Sequence, residues 1–165
     1  MATIEQYKSG FAAKAVKQAV DMIQTTEGKV LDAEMGQIIT EKVDAMKPLE
    51  LDEKQAVDFI QGADRCAVGE RVCKCMFPDA HYSEAVFLDE LADAMVDAGK
   101  ATYTSKEKAQ SVMKRYPEFP IVISKVSGKY MEICRSWPQT CVYWNMEKHH
   151  VRCIKRINRH TDESI

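Results

Sequence analysis

Arg65-Cys66-Ala67-Val68-Gly69-Glu70-Arg71-Val72-Cys73-Lys74-Cys75-Met76 carries three of the chain's six cysteines. Its first part, Cys66-Ala67-Val68-Gly69, reads as a short buried strand leading into a loop that holds Cys73 and Cys75. In an extended segment residues i and i+2 point to the same side, roughly 6–7 Å apart, so two thiolates there can reach one metal centre. A second group, Ile133-Cys134-Arg135-Ser136-Trp137-Pro138-Gln139-Thr140-Cys141, follows later, and Cys153 is the last thiol. Two separated cysteine groups in one small domain read most simply as two halves of one site.

The 165 residues are enough for one domain with a real core. The expected layout is a single domain over 1–165: an N-terminal helix in 1–26, a cysteine-bearing core in 28–157 and a frayed tail at 161–165. The net charge of −2 argues against a general polyanion binder, so nucleic acid is not an expected partner. No apolar run approaches the ~18 residues of a membrane span. Met1-Ala2-Thr3-Ile4-Glu5-Gln6-Tyr7 has neither the basic start nor the apolar block of a secretory signal, which points to the cytoplasm. In a reducing compartment cysteines serve as metal ligands or reactive thiols more often than as structural disulfides.

Along the chain, Thr3 with Gln6 has the form of a capping box for a helix over 4–24. Gly28-Lys29-Val30-Leu31 reads as a short strand and 35–46 as a second helix closed by Pro48. Asp52 with Gln55 caps a third, whose apolar face is Ala56, Phe59, Ile60 and Ala63. A long helix is predicted over 83–98, with Leu88, Leu91, Ala92 and Met95 buried and Glu84, Asp89, Glu90, Asp93 and Asp97 outside. Thr104-Ser105-Lys106-Glu107 starts another helix, ended by Pro117. Pro120 to Val126 and Lys129 to Cys134 form a hairpin turned by Ser127-Gly128. Ser136 then caps a helix with Pro138 in its first turn, placing Cys141 near a helix N-terminus, where a thiolate is favoured. The predicted fold class is α+β: a mainly helical domain with a small β-sheet and a cysteine-ligated metal site between them.

Four thiolates hold an iron–sulfur cluster or a structural zinc ion. Paired zinc ligands usually stand two residues apart, and this chain has no Cys-x-x-Cys. The spacing therefore favours a cluster, with zinc and buried or reactive free thiols as alternatives. His149-His150 and His81 read as surface residues. No haem attachment motif, P-loop, dinucleotide fingerprint or serine nucleophile motif is present.

The order of segments resembles the prokaryotic cysteine-rich 4Fe-4S ferredoxin-like proteins over about residues 28 to 145. The matching text is Gly28-Lys29-Val30, Ala67-Val68-Gly69-Glu70-Arg71-Val72-Cys73-Lys74-Cys75, Phe87-Leu88-Asp89-Glu90-Leu91-Ala92, Ser105-Lys106-Glu107-Lys108-Ala109 and Glu132-Ile133-Cys134. The family usually has further cysteines before its acidic helix, where 78–86 has none here. Six thiols then suit one four-cysteine cluster and not two. The expected ligands are Cys73, Cys75, Cys134 and Cys141, with Cys66 or Cys153 as substitutes for the fourth.

The leading reading is an electron carrier or accessory module of a redox system, rather than an enzyme, holding one 4Fe-4S cluster. Its partner would be a redox protein docking on the acidic segment 84–97. The alternatives are a zinc-stabilised interaction module and a metal-sensing regulator that uses the basic segment 148–160.

Overall fold

A computed structural model of the chain describes residues 2–25, 37, 41, 46–73, 84–148 and 152–156. Helix α1 (Ile4–Ser9) opens with the expected capping box. Thr3 Oγ1 accepts the Gln6 N–H at 3.3 Å, and Gln6 Oε1 accepts the Thr3 N–H at 3.0 Å. Gly10 then adopts a left-handed φ of +78°, which ends the helix and divides the predicted span 4–24 into α1 and α2 (Phe11–Thr25).

Strand β1 (Leu49–Leu51) leads to α3 (Glu53–Gly62), capped by Asp52 and Gln55 as expected, with Ala56 and Ile60 buried. Strand β2 (Cys66–Glu70) follows. Next come β3 (Glu84–Leu88) and α4 (Asp89–Asp97), then β4 (Ala101–Thr104) and α5 (Lys106–Lys114). Strands β5 (Ile121–Val126) and β6 (Lys129–Arg135) are joined by a tight turn in which Ser127 and Gly128 have φ of +50° and +86°. That two-residue turn, with both central residues left-handed, matches the twist of a hairpin. Helix α6 (Val142–Lys148) and the short β7 (Lys155–Arg156) complete the described chain.

The strands form one seven-stranded sheet in the order β4-β2-β3-β6-β5-β1-β7. Every pairing is antiparallel except β1 with β7. The domain is thus mixed α/β, with six helices among the described residues packed about a wide sheet. The expected small sheet was an underestimate, because four strands, β1, β3, β4 and β7, escaped the sequence reading. The predicted helix over 83–98 is strand β3 up to Leu88 and helix α4 only from Asp89. β3 lies mid-sheet, with Ala85, Val86, Phe87 and Leu88 all buried. A strand covered on both faces is a continuous apolar run, and such a run shows no two-residue alternation. Asp89 takes a φ of +50°, a conformation Asp tolerates better than most residues, and this separates the strand from the helix. Strand β4 was also not expected. The strand expected at Gly28-Leu31, and most of the helix expected over 35–46, lie outside the described residues.

Register assigns the faces. Cys66 stands opposite Leu88, and Val86 opposite both Val68 and Ile133. These share a face with Arg135, whose Nε donates to Met113 O at 2.6 Å, and with the contact of Cys66 Sγ to Ile60 O at 3.9 Å. That face is covered by α3 and α5. The other face carries Ala85 and Cys134 as partners, then Phe87 with Glu132, Val122 with Cys134, and Ser124 with Glu132. Tyr7 of α1 reaches Glu132 there, α1 packs on α4, and α2 packs on α6.

The acidic segment is mostly committed to ion pairs. Glu84 binds Arg115, Glu90 binds Lys129, and Asp93 binds Arg65 at 2.8 Å. Asp89 Oδ1 accepts the backbone N–H of Asp64 at 2.7 Å and of Arg65 at 3.2 Å. No helix among the described residues is long and apolar enough to cross a membrane.

Candidate metal centre

Three of the four expected ligands belong to the face covered by α1, α2 and α6. Cys73 lies three residues beyond the end of β2, and Cys134 sits on β6 between Ala85 and Val122. Cys141 immediately precedes α6. The fourth, Cys75, lies outside the described residues, as do His81, His149 and His150. Cys141 is buried, and Cys73 and Cys134 are half-buried. Cys141 belongs to a hydrophobic cluster of Val122, Val142, Tyr143, Met146, Cys153 and Ile154, with Cys73 packed against it, while Cys134 packs against the main core.

The corner before α6 differs from its expected form. Ser136 does not cap a helix: its N–H donates to Pro120 O at 2.7 Å, next to the β5–β6 pairing. Trp137 O then accepts the N–H groups of Thr140 at 3.0 Å and Cys141 at 2.8 Å, closing a turn over 137–140. The helix starts at Val142, later than the start predicted directly after Ser136, and this seats Cys141 at its entrance. Asn145 holds that geometry by donating its N–H (3.0 Å) and Nδ2 (2.8 Å) to Cys141 O.

The thiols influence one another. Burial pushes Cys73 up to about 12, with further increments from Cys141 and Glu132, while the Val142 N–H and Arg71 oppose the shift. Cys134 is pushed well above the ordinary thiol range by burial, then by Glu132, Cys141 and Cys73. Burial raises Cys141 too, against hydrogen bonds from the Ser136 hydroxyl and the N–H groups of Trp144 and Tyr143. With burial outweighing the opposing donors and Arg71, these sulfurs are neutral thiols at neutral pH.

A buried polar network that the sequence reading missed adjoins the thiols. Glu132 is 7% exposed and accepts Tyr7 Oη–H at 2.5 Å and Ser124 Oγ–H at 3.4 Å. Burial raises its pKa against the pull of these donors, the Val72 N–H and Arg71. Tyr143, raised by burial and then by Glu132, belongs to the same group. The available signal was Glu132 itself, a carboxylate inside the apolar strand Met131-Glu132-Ile133, one alternation from Cys134.

The two substitute ligands part company. Cys153 is buried near Cys141, and its Sγ–H donates to Tyr143 O at 3.4 Å. Cys66 faces α3 on the other side of the sheet. Of the tryptophans flanking Cys141, Trp137 stacks on Phe119 at 5.8 Å, and Trp144 packs against the Cys141 cluster with Arg156 over its ring at 5.3 Å.

Ser136 Oγ tests whether the residues present suit a metal–sulfur group. The residue is fully buried beside Cys141, and among the described residues its hydroxyl has no partner other than that sulfur. Together with the N–H groups of Val142, Tyr143 and Trp144 it supplies donors directed at sulfur, the arrangement by which proteins tune metal-bound thiolates. The donor chemistry therefore fits. Among the described residues no group of three or more His, Cys, Asp or Glu is arranged to hold a metal ion, so closure of the site would require movement of these groups or ligands from outside those residues, Cys75 being the expected one. Compared with known protein families, curated proteins and solved structures, the chain matches none, so the comparisons leave the ferredoxin-like resemblance where the sequence put it.

Proposed function

We propose that this chain holds one iron–sulfur cluster, of the 4Fe-4S kind, between the segment after β2 and the corner before α6. Cys73, Cys75, Cys134 and Cys141 are its ligands. The observation that carries the reading is that Cys73, Cys134 and Cys141 share one side of the sheet, Cys134 on β6, Cys73 just beyond β2 and Cys141 at the entrance to α6. Their raised pKa values make the metal-free site a set of protonated thiols, so ligation expels protons and metal affinity climbs with pH.

Bound there, the cluster would supply one-electron redox chemistry. The chain's own residues exclude water through Val122, Val142, Tyr143 and Met146, and they present N–H and O–H donors to the sulfurs. The proposed role is electron carriage or support of a redox enzyme, with a partner protein as the electron's other station. The segment 84–97 is the proposed docking face. Its steering charge is smaller than its composition suggests, since Glu84, Glu90 and Asp93 are already ion-paired.

Alanine at Cys73, Cys75, Cys134 or Cys141 should each strip the bound iron, measured as iron per chain after anaerobic purification. Cys66→Ala and Cys153→Ala should retain it and cost only a core truncation of roughly 1–2 kcal/mol. Full iron retention in the Cys73 and Cys141 variants, or equal loss in all six, would show that the ligand set is wrong.

A further inference from the structure

Helices α1 and α2 both lie on the thiol side of the sheet, and they are attached to it differently. α1 is pinned at each end. Ser127 donates its N–H to Ala2 O at 2.8 Å, and its Oγ accepts the Ile4 N–H at 3.1 Å. Lys100 Nζ donates to Tyr7 O at 3.0 Å and Lys8 O at 2.6 Å, carbonyls of the last turn, where a cation is favoured. Between these ends Tyr7 is buried and donates to Glu132. α2 is seated instead by small apolar side chains. Ala12 enters the main core, and Val16 and Ala19, both half-buried, pack on the cluster that contains Cys141. The three recur at i, i+4 and i+7, one stripe of the helix. Among the described side chains of α2 only Ala12 is buried. Gly10 joins the two helices with a φ of +78°, which glycine adopts without steric cost. A segment with few buried apolar side chains opens locally at a smaller free energy than the whole fold. Here such a segment follows a glycine and a firmly anchored helix.

We propose that α2 is a lid over the Cys141 cluster, swinging about Gly10 while α1 stays fixed as its anchor. A hinge of this kind needs only a few residues that absorb the change in backbone angles. Lifting Val16 and Ala19 from their seat admits small molecules to Cys141 without unfolding the sheet. Iron and sulfide would enter by this route, a consequence that rests on the cluster reading above; the opening itself needs no metal. Cys66 supplies an internal standard. It is as buried as Cys141, at 2% against 3% exposed, but it faces α3 on the other side of the sheet. Reaction at Cys66 therefore reports openings that α2 does not control.

The test is alkylation of the full metal-free chain by iodoacetamide under native conditions with chelator present, reading Cys141 and Cys66 separately by peptide mass spectrometry. In the wild type Cys141 should react at least about tenfold faster than Cys66, because local opening precedes global unfolding. Val16→Ser should speed Cys141 by about 5–10-fold, the effect of losing a half-buried valine from the seat, and leave Cys66 unchanged. Tyr7→Phe loosens the anchor and should speed Cys141 by less than Val16→Ser does. Lys100→Met repeats that comparison if Tyr7→Phe does not fold. Equal rates at Cys141 and Cys66 in the wild type, or a wild-type rate at Cys141 in Val16→Ser, would overturn the lid. An anchor variant that matches Val16→Ser would overturn the hinge at Gly10, since the whole N-terminal segment would then be peeling away. None of these rates depends on whether the chain binds iron, which metal analysis of the wild type decides separately.

Discussion

Gly69→Ala should cost at least about 3 kcal/mol of folding stability, at the upper end for an inserted methyl group. A Cβ on Gly69 would lie 2.3 Å from Lys100 O, 2.7 Å from Ala101 Cβ and 2.9 Å from Ala101 Cα. Two of these three are backbone atoms at the start of β4, so no rotamer change relieves the clash. Relief requires the β2–β4 pairing, in which Gly69 stands opposite Ala101, to open. Because β2 also delivers the chain to Cys73, a cluster held as proposed should be lost along with stability. Denaturant unfolding would measure the effect, and a midpoint within error of wild type would show that β4 does not pass over Gly69 as described.

Metal-free protein should unfold in alkali before pH 12. The folded-state pKa of Cys73 is raised from 9.0 to about 12 by burial and neighbouring negative charge. A raised folded pKa means that the stabilising proton is fully in place below about pH 9. Stability is then lost as pH climbs, because the unfolded chain gives up its proton first. Between pH 9 and 12 this one thiol removes about 4 kcal/mol. Cys134, Cys141, Tyr7 and Tyr143 are shifted in the same direction and add to the loss. Typical domains have only about 5–15 kcal/mol to lose. Far-UV circular dichroism against pH, in reductant and chelator, should show a cooperative transition between pH 9 and 12. Thiolate absorbance growing in near pH 9 with the fold intact would contradict the burial of these sulfurs.

What the sequence disclosed was mostly local. The caps at Thr3 and Asp52 and the Ser127-Gly128 turn depend on residues within a few positions of one another, and each forms as read. The helix start read as Thr104-Ser105-Lys106-Glu107 is instead capped by Ser105, with Thr104 closing β4. Strand β3 was hidden because burial on both faces removed its alternation, and because its acidic neighbours extended a helical pattern backward from Asp89. Thr102-Tyr103-Thr104 carried a strand signal in its β-branched and aromatic content, but three residues are too few to weigh against a loop. At the site, spacing singled out the cysteines. It could not single out Tyr7, which meets Glu132 across 125 residues, or Arg71, which meets Thr140 across 69. Those meetings are produced by the sheet order, which places β6 beside β3 and leaves its Glu132 and Cys134 under the N-terminal helices.

The central claim is tested most directly by the absorption spectrum of anaerobically purified protein, with iron, sulfide and zinc assayed on the same sample. The account predicts brown protein with about four iron and four sulfide per chain, bleached by reductant and restored on reoxidation. Colourless protein, whether it carries zinc or no metal at all, would contradict it.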